Sequence, residues 1–173
     1  MEERLGLVDN YRDGLLAPLI FSSAEDDRRL GPYSTTLAEA YQVLVGGSVV
    51  RHQLFVHLTN ASTWLRQILV PPVEIWVRGD FAANLLPEPS RLDLVVIWDG
   101  GVRSPQALWP LALLAASPIS LHPGEMHLTL LRRSDVDFAD DYAREAKRSG
   151  RRCRDRDGTS VETGWLEFGE EEP

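Results

Sequence analysis

Residues 92–98 (LDLVVIW) constrain this chain more than any other segment. Asp93 is the only polar residue in the run, and there is no in–out alternation. A strand with that pattern is buried on both faces, so it belongs in the interior of a sheet. Both faces of such a sheet must then be covered, which predicts a layered α/β (α+β) fold with helices packed on the sheet. A chain of 173 residues, 43% hydrophobic, has the length of one domain and enough apolar material for a core. At this size a fold buries roughly 70% of its unfolded surface, so no disulfide or structural metal is needed.

The neighbouring elements follow from punctuation and periodicity. Residues 73–77 (VEIWV), just after Pro71-Pro72, read as a second strand. A loop with Pro87 and Pro89 joins it to the first, so the two are expected side by side. Ser34 or Thr35 is predicted to cap a helix through Leu37, Ala40, Tyr41 and Leu44, which Gly46-Gly47 ends. Ser48 then caps a longer helix whose Leu54, Leu58, Ala61, Leu65 and Ile68 recur at steps of four and three. Ser104-Pro105 opens a third helix through Leu108, Leu111, Leu114 and Ala115. Residues 126–131 (MHLTLL) alternate as a strand, 138–149 form a polar helix stopped by Gly150, and 161–168 form a last strand. Residues 1–30 read as an irregular lead-in and 169–173 as an acidic tail.

Charge narrows the function classes. The net charge is −8, whereas a nucleic-acid binder must neutralise phosphates with Lys and Arg. Arg151, Arg152, Arg154 and Arg156 are diluted by Asp155 and Asp157 and read as a solvated loop. The lone Cys153 cannot form an internal disulfide and has no histidine nearby in sequence to activate it. The longest apolar stretch, near residues 107–116, is too short to span a bilayer. The expectation is a cytoplasmic protein without a membrane anchor.

Chemistry concentrates in residues 76–99 (WVRGDFAANLLPEPSRLDLVVIWD), where a strand ends at Gly79, a loop follows, and a second strand carries Asp93 near its start. Gly79 permits close approach of a ligand to the backbone. Asp80 follows it, where a side chain and an N–H could meet a phosphate. A carboxylate on the next strand can hold Mg²⁺ against that phosphate, an arrangement suited to phosphoryl or nucleotidyl transfer.

On these residues the chain resembles nucleotidyltransferases of the polymerase-beta type, which carry Gly-Ser and then Asp-x-Asp. It is more closely similar to a bacterial family of uncharacterised proteins with a nucleotidyltransferase-like fold. The matching parts are Gly31 to Tyr33, Gly79 to Phe81, Pro89 to Asp93 and Asp155 to Gly158. The resemblance implies a nucleotidyltransferase-like domain over residues 31–168, with a mixed sheet of about four strands and helices against it. It also implies nucleotide binding around Gly79, Asp80 and Arg91, with Asp93 as metal ligand and, if the site is active, catalytic residue. The departures are specific. Asp80 stands where the family has Ser, and Arg91 stands where it has the first Asp. Arg91 puts a positive charge where a cation should sit, and Asp80 a negative charge where a triphosphate should lie.

The expected function is therefore a degenerate nucleotidyltransferase-like protein, a catalytically impaired binding or regulatory module that acts on another protein, with no cofactor. The alternative is an active transferase modifying a protein or RNA, using Mg²⁺ or Mn²⁺ with a nucleotide. It would recruit Asp93 together with Asp80, Asp99 or the Asp135/Asp137 pair. Arg91 and Asp93 are two apart on one strand, so their side chains leave the same face, and the guanidinium of Arg91 is expected to pair with Asp80, Asp93 or both. Gly46-Gly47-Ser48 reads as a helix break, and His52, His57, His122 and His127 lack the spacing of a zinc site.

Overall fold

A computed structural model describes residues 32–83, 88–149 and 164–168 in full. Outside these it describes only the backbone of short pairs: β1 (Tyr11–Arg12) with β2 (Leu15–Leu16), β3 (Leu19–Ile20) with β4 (Arg28–Arg29), and β10 (Cys153–Arg154) with β11 (Ser160–Val161). The lead-in expected to be irregular thus holds two short antiparallel ladders. Gly31, Pro87, Gly150, the turn at 155–158, the Cys153 thiol, the arginines around it and the acidic tail lie outside the described residues.

The remaining elements are β5 (Pro32–Ser34), α1 (Leu37–Leu44), α2 (Val49–Ile68), β6 (Val73–Arg78), β7 (Arg91–Trp98), α3 (Leu108–Ala116), β8 (Ile119–Ser120), β9 (Glu125–Arg132), α4 (Phe138–Ser149) and β12 (Trp165–Phe168). They build one mixed sheet of six strands, ordered β5-β12-β6-β7-β9-β8. The expectation of about four strands missed the short outer ones. The last strand begins at Trp165 and not near 161, because Ser160 and Val161 pair with Cys153 and Arg154 instead.

β7 is central, as its composition requires. It runs antiparallel to β6, with Arg78 opposite Asp93 and Val73 opposite Trp98. It runs parallel to β9, with Asp93 opposite His127. Residues 92–98 are all buried. One face of the sheet, carrying Val73, Ile75, Val77, Leu92, Leu94, Val96, Leu128 and Leu166, packs under α1, α2 and α3. The other face, carrying Trp76, Val95, Ile97, Leu131 and Trp165, is covered by Phe138, Tyr142 and Ala146 of α4.

Local chemistry sets the helix ends. Thr36 caps α1: its hydroxyl accepts from the Glu39 N–H and the Glu39 carboxylate accepts from the Thr36 N–H, each at 3.2 Å. Neither Ser34 nor Thr35 does so, because Ser34 is committed to the β5–β12 ladder opposite Glu167. Ser48 caps α2 by accepting from the Arg51 N–H at 3.3 Å. Within α2, Leu54, Leu58 and Leu65 are buried, while Ala61 and Ile68 are half-buried at the edge of the stripe. The third helix starts as a 3-10 turn over Pro105–Ala107, and Ser104 makes no cap bond because its hydroxyl faces the Gln106 side chain. Among the described residues no helix is long and apolar enough to cross a membrane.

Candidate functional site

The β6–β7 pair brings Gly79, Asp80, Arg91 and Asp93 to one end of the sheet. β6 ends at Arg78, and Gly79 reverses the chain at φ +75°, a left-handed conformation that favours glycine. The turn closes with the Ala83 N–H donating to the Gly79 carbonyl at 3.0 Å. A buried arginine on α2 holds this turn from below. Arg51 Nη1 donates to the carbonyls of Leu44 (3.1 Å) and Phe81 (3.0 Å), and Nη2 to those of Asp80 (3.3 Å) and Ala83 (2.9 Å). Its guanidinium also lies 5.8 Å from the centre of the Phe81 ring.

Arg91 and Asp93 leave the same face of β7 and meet. Arg91 Nε donates to Asp93 Oδ2 at 3.0 Å, and Nη2 donates to Oδ1 at 3.1 Å and Oδ2 at 2.9 Å. Both carboxylate oxygens are therefore engaged by one fork. The Asp93 side chain is 5% exposed and that of Arg91 is 36% exposed, so the pair forms a partly solvated lid over a buried carboxylate.

The surrounding face carries more charge. Asp93 stands in register with Arg78 on one side and His127 on the other, and Arg91 stands in register with Glu125. His127 Nε2 lies 2.7 Å from Glu125 Oε1. Arg78 Nη1 donates to Glu145 Oε2 at 2.6 Å and to Ser149 Oγ at 3.2 Å, and Arg148 Nη1 donates to Glu145 Oε1 at 2.7 Å. Burial pushes the Glu145 carboxyl upward, but the hydrogen bonds and charges of Arg78 and then Arg148 outweigh it and hold the group below its usual value. Arg78 Nε is buried and finds no acceptor among the described residues.

The other expected carboxylates do not reach Asp93. Asp99 lies past the opposite end of β7, where Arg133 pairs with it at 3.3 Å and with Glu74 at 2.6 Å. Asp135 follows β9 and pairs with Arg132. Arg132 is five strand residues beyond His127, the residue opposite Asp93, which separates the two ends by roughly 16 Å. Strand length thus removes Asp99 and the Asp135/Asp137 pair from the site. The histidines are dispersed: His52 contacts the Tyr41 hydroxyl, His57 contacts the His122 carbonyl, and His127 joins Glu125. Among the described residues no group of three His, Cys, Asp or Glu side chains is placed to hold a metal ion. Gly46 and Gly47, both at positive φ, separate α1 from α2, so that segment is a helix break.

Sequence reasoning passed over Arg51, Arg78, Glu125 and Glu145, and weighed His127 only as a zinc ligand. Two of them carried a signal. Arg51 precedes Leu54 by three and Leu58 by seven, which puts it on the buried stripe of α2. Glu145 continues the stripe of Phe138, Tyr142 and Ser149 on α4.

Searches of protein-family models, of curated proteins and of solved structures give no match to this chain.

Proposed function

We propose that this protein is a degenerate nucleotidyltransferase-like module that works by binding another protein and not by metal-dependent transfer. The order of a long helix, a strand, a Gly79 turn and a second strand bearing Asp93 supports the comparison with that class. The single observation that carries the loss of transfer is the fork of Arg91 on both oxygens of Asp93. A carboxylate so held offers a metal ion little free basicity. A cation placed about 5 Å from the guanidinium would be repelled by roughly 3 kcal/mol per unit charge at an effective dielectric of 20. The net charge of −8 supports a protein partner over a nucleic acid.

Incubation with labelled ATP, CTP, GTP or UTP and Mn²⁺ is expected to leave the chain and added acceptor proteins unlabelled. Calorimetric titration should show no metal-dependent gain in nucleotide affinity. Robust labelling that Asp93→Ala abolishes would overturn the reading in favour of an active transferase acting on a protein or RNA.

A further inference from the structure

The connection between β7 and β9 is built unlike the rest of the molecule. From Ser104 to Gly124 the chain contains no Asp, Glu, Lys or Arg, although 25% of all residues are charged. All nine residues of α3 (LWPLALLAA) are apolar, yet only Leu111 is fully buried. Leu108, Trp109 and Leu113 are 50%, 72% and 53% exposed. A helix that is apolar all round is normally enclosed by protein, yet among the described residues part of α3 has no cover. Beside it a groove of about 270 Å³, lined in part by Trp64, Leu114, Ile119 and Leu121, opens between α2 and the sheet edge. That edge, β8, carries none of the charges that usually protect a free strand.

We propose that this surface is the interface of a symmetric dimer, in which α3 of one copy packs against α3 and the adjoining groove of a second. The charge distribution selects a second copy as the occupant. Each chain carries −8, so two copies repel over most of their surfaces. The uncharged stretch from Ser104 to Gly124 is where they can meet without that repulsion. A basic partner, which the rest of the surface would attract, finds no carboxylate within this stretch to pair with. The patch is also self-complementary: exposed Trp109 and Leu113 project from the same helix whose Leu114 lines the groove. A two-fold contact needs such a knob and hole on one surface. The apolar, aromatic character matches the core of a homodimer interface.

Sedimentation equilibrium of the full chain over a wide concentration range tests this. The expected species is twice the 19.4 kDa chain mass, in reversible exchange with monomer. Trp109→Glu and Leu113→Glu change exposed positions, so circular dichroism and melting should show the fold retained. Each brings two like charges together across the two-fold axis and should weaken the dimer by about 100-fold or more. A wild type that is monomeric throughout overturns the proposal. A dimer that both folded variants leave intact also overturns it, because the contact would then lie elsewhere. Neither outcome bears on nucleotide transfer, which is read by the labelling assay alone.

Discussion

Arg91→Ala tests how far the Arg91–Asp93 pair has become part of the fold. The substitution removes three donor–acceptor contacts at 2.9–3.1 Å from a carboxylate that is 5% exposed. Two limits bracket the cost. An exposed ion pair contributes up to about 1 kcal/mol, and breaking a buried one costs about 3–5 kcal/mol. Here the guanidinium is 36% exposed, so water can partly replace it, and Arg78 stands in register beside Asp93. Both facts pull the figure down from the buried limit. The expected loss is about 1–3 kcal/mol, in the range for leaving a buried acceptor short of its donor. Urea unfolding reads this directly: with a slope of about 1–3 kcal/mol per molar, a loss of 2 kcal/mol moves the midpoint by roughly 1 M. Arg91→Lys keeps the charge but loses the planar fork and should recover only part of the loss. A cycle of Arg91→Ala and Asp93→Asn should show a coupling of about 1 kcal/mol or more. A loss under about 0.5 kcal/mol with no coupling would show that Arg91 is a solvated side chain and would remove the physical basis of the functional proposal.

Leu58→Ala, at a fully buried position of α2 facing the sheet, should cost about 2–5 kcal/mol by calorimetry or urea unfolding; an unchanged transition would place the wrong face of α2 against the sheet. Glu145 should give the protein a component of acid sensitivity. Its folded-state pKa is lowered from 4.5, so the stability it contributes is full above that value and is lost as pH falls through the lower folded value. Arg78→Met removes the main lowering influence and leaves burial to raise the folded-state value, so the acid loss should shrink or reverse, and Glu145→Gln should flatten the profile on the acid side of 4.5; an acid profile identical in all three proteins would contradict the assignment.

How much was legible in the sequence depended on how local the determining interaction is. The central strand was legible because an unbroken apolar run has one structural solution, and α4 because its amphipathic stripe spans the whole helix. Strands β5 and β8, of three and two residues, are too short to show a period and exist because a longer neighbour offers them a ladder. Thr36 took the α1 cap from Ser34 because a strand residue cannot also be a cap, and that strand is made by a partner in sequence far away. At the site, the shared face of Arg91 and Asp93 followed from the two-residue period alone. The buried roles of Arg51 and Arg78 did not, because an arginine is buried only where acceptors converge, and those acceptors come from the 79–83 turn and from α4. The distance from Asp93 to Asp99 and Asp135 likewise appears only once the strands are laid side by side.

The reversion of the two departures joins stability to function in one measurement. Asp80→Ser with Arg91→Asp restores the motif of the resembled family. In metal-free buffer the double variant should be less stable than the wild type. It loses the fork on Asp93 and places a second carboxylate two residues from it on the same strand face, with Glu125 in register opposite. The nearby cations, Arg78 and Arg148, already bond Glu145, so they offset only part of this repulsion. A divalent ion that binds this carboxylate pair only in the folded state should recover the loss, by about 2.7 kcal/mol at a hundred times its dissociation constant. Melting curves with and without Mn²⁺ should therefore diverge for the double variant and coincide for the wild type. The single variant Arg91→Asp, which keeps Asp80, should respond to Mn²⁺ but gain no nucleotide affinity, because Asp80 still repels the phosphates. A double variant indifferent to Mn²⁺ would mean that the β6–β7 turn never had the shape of a metal site, and the likeness to nucleotidyltransferases would then reduce to a shared order of elements.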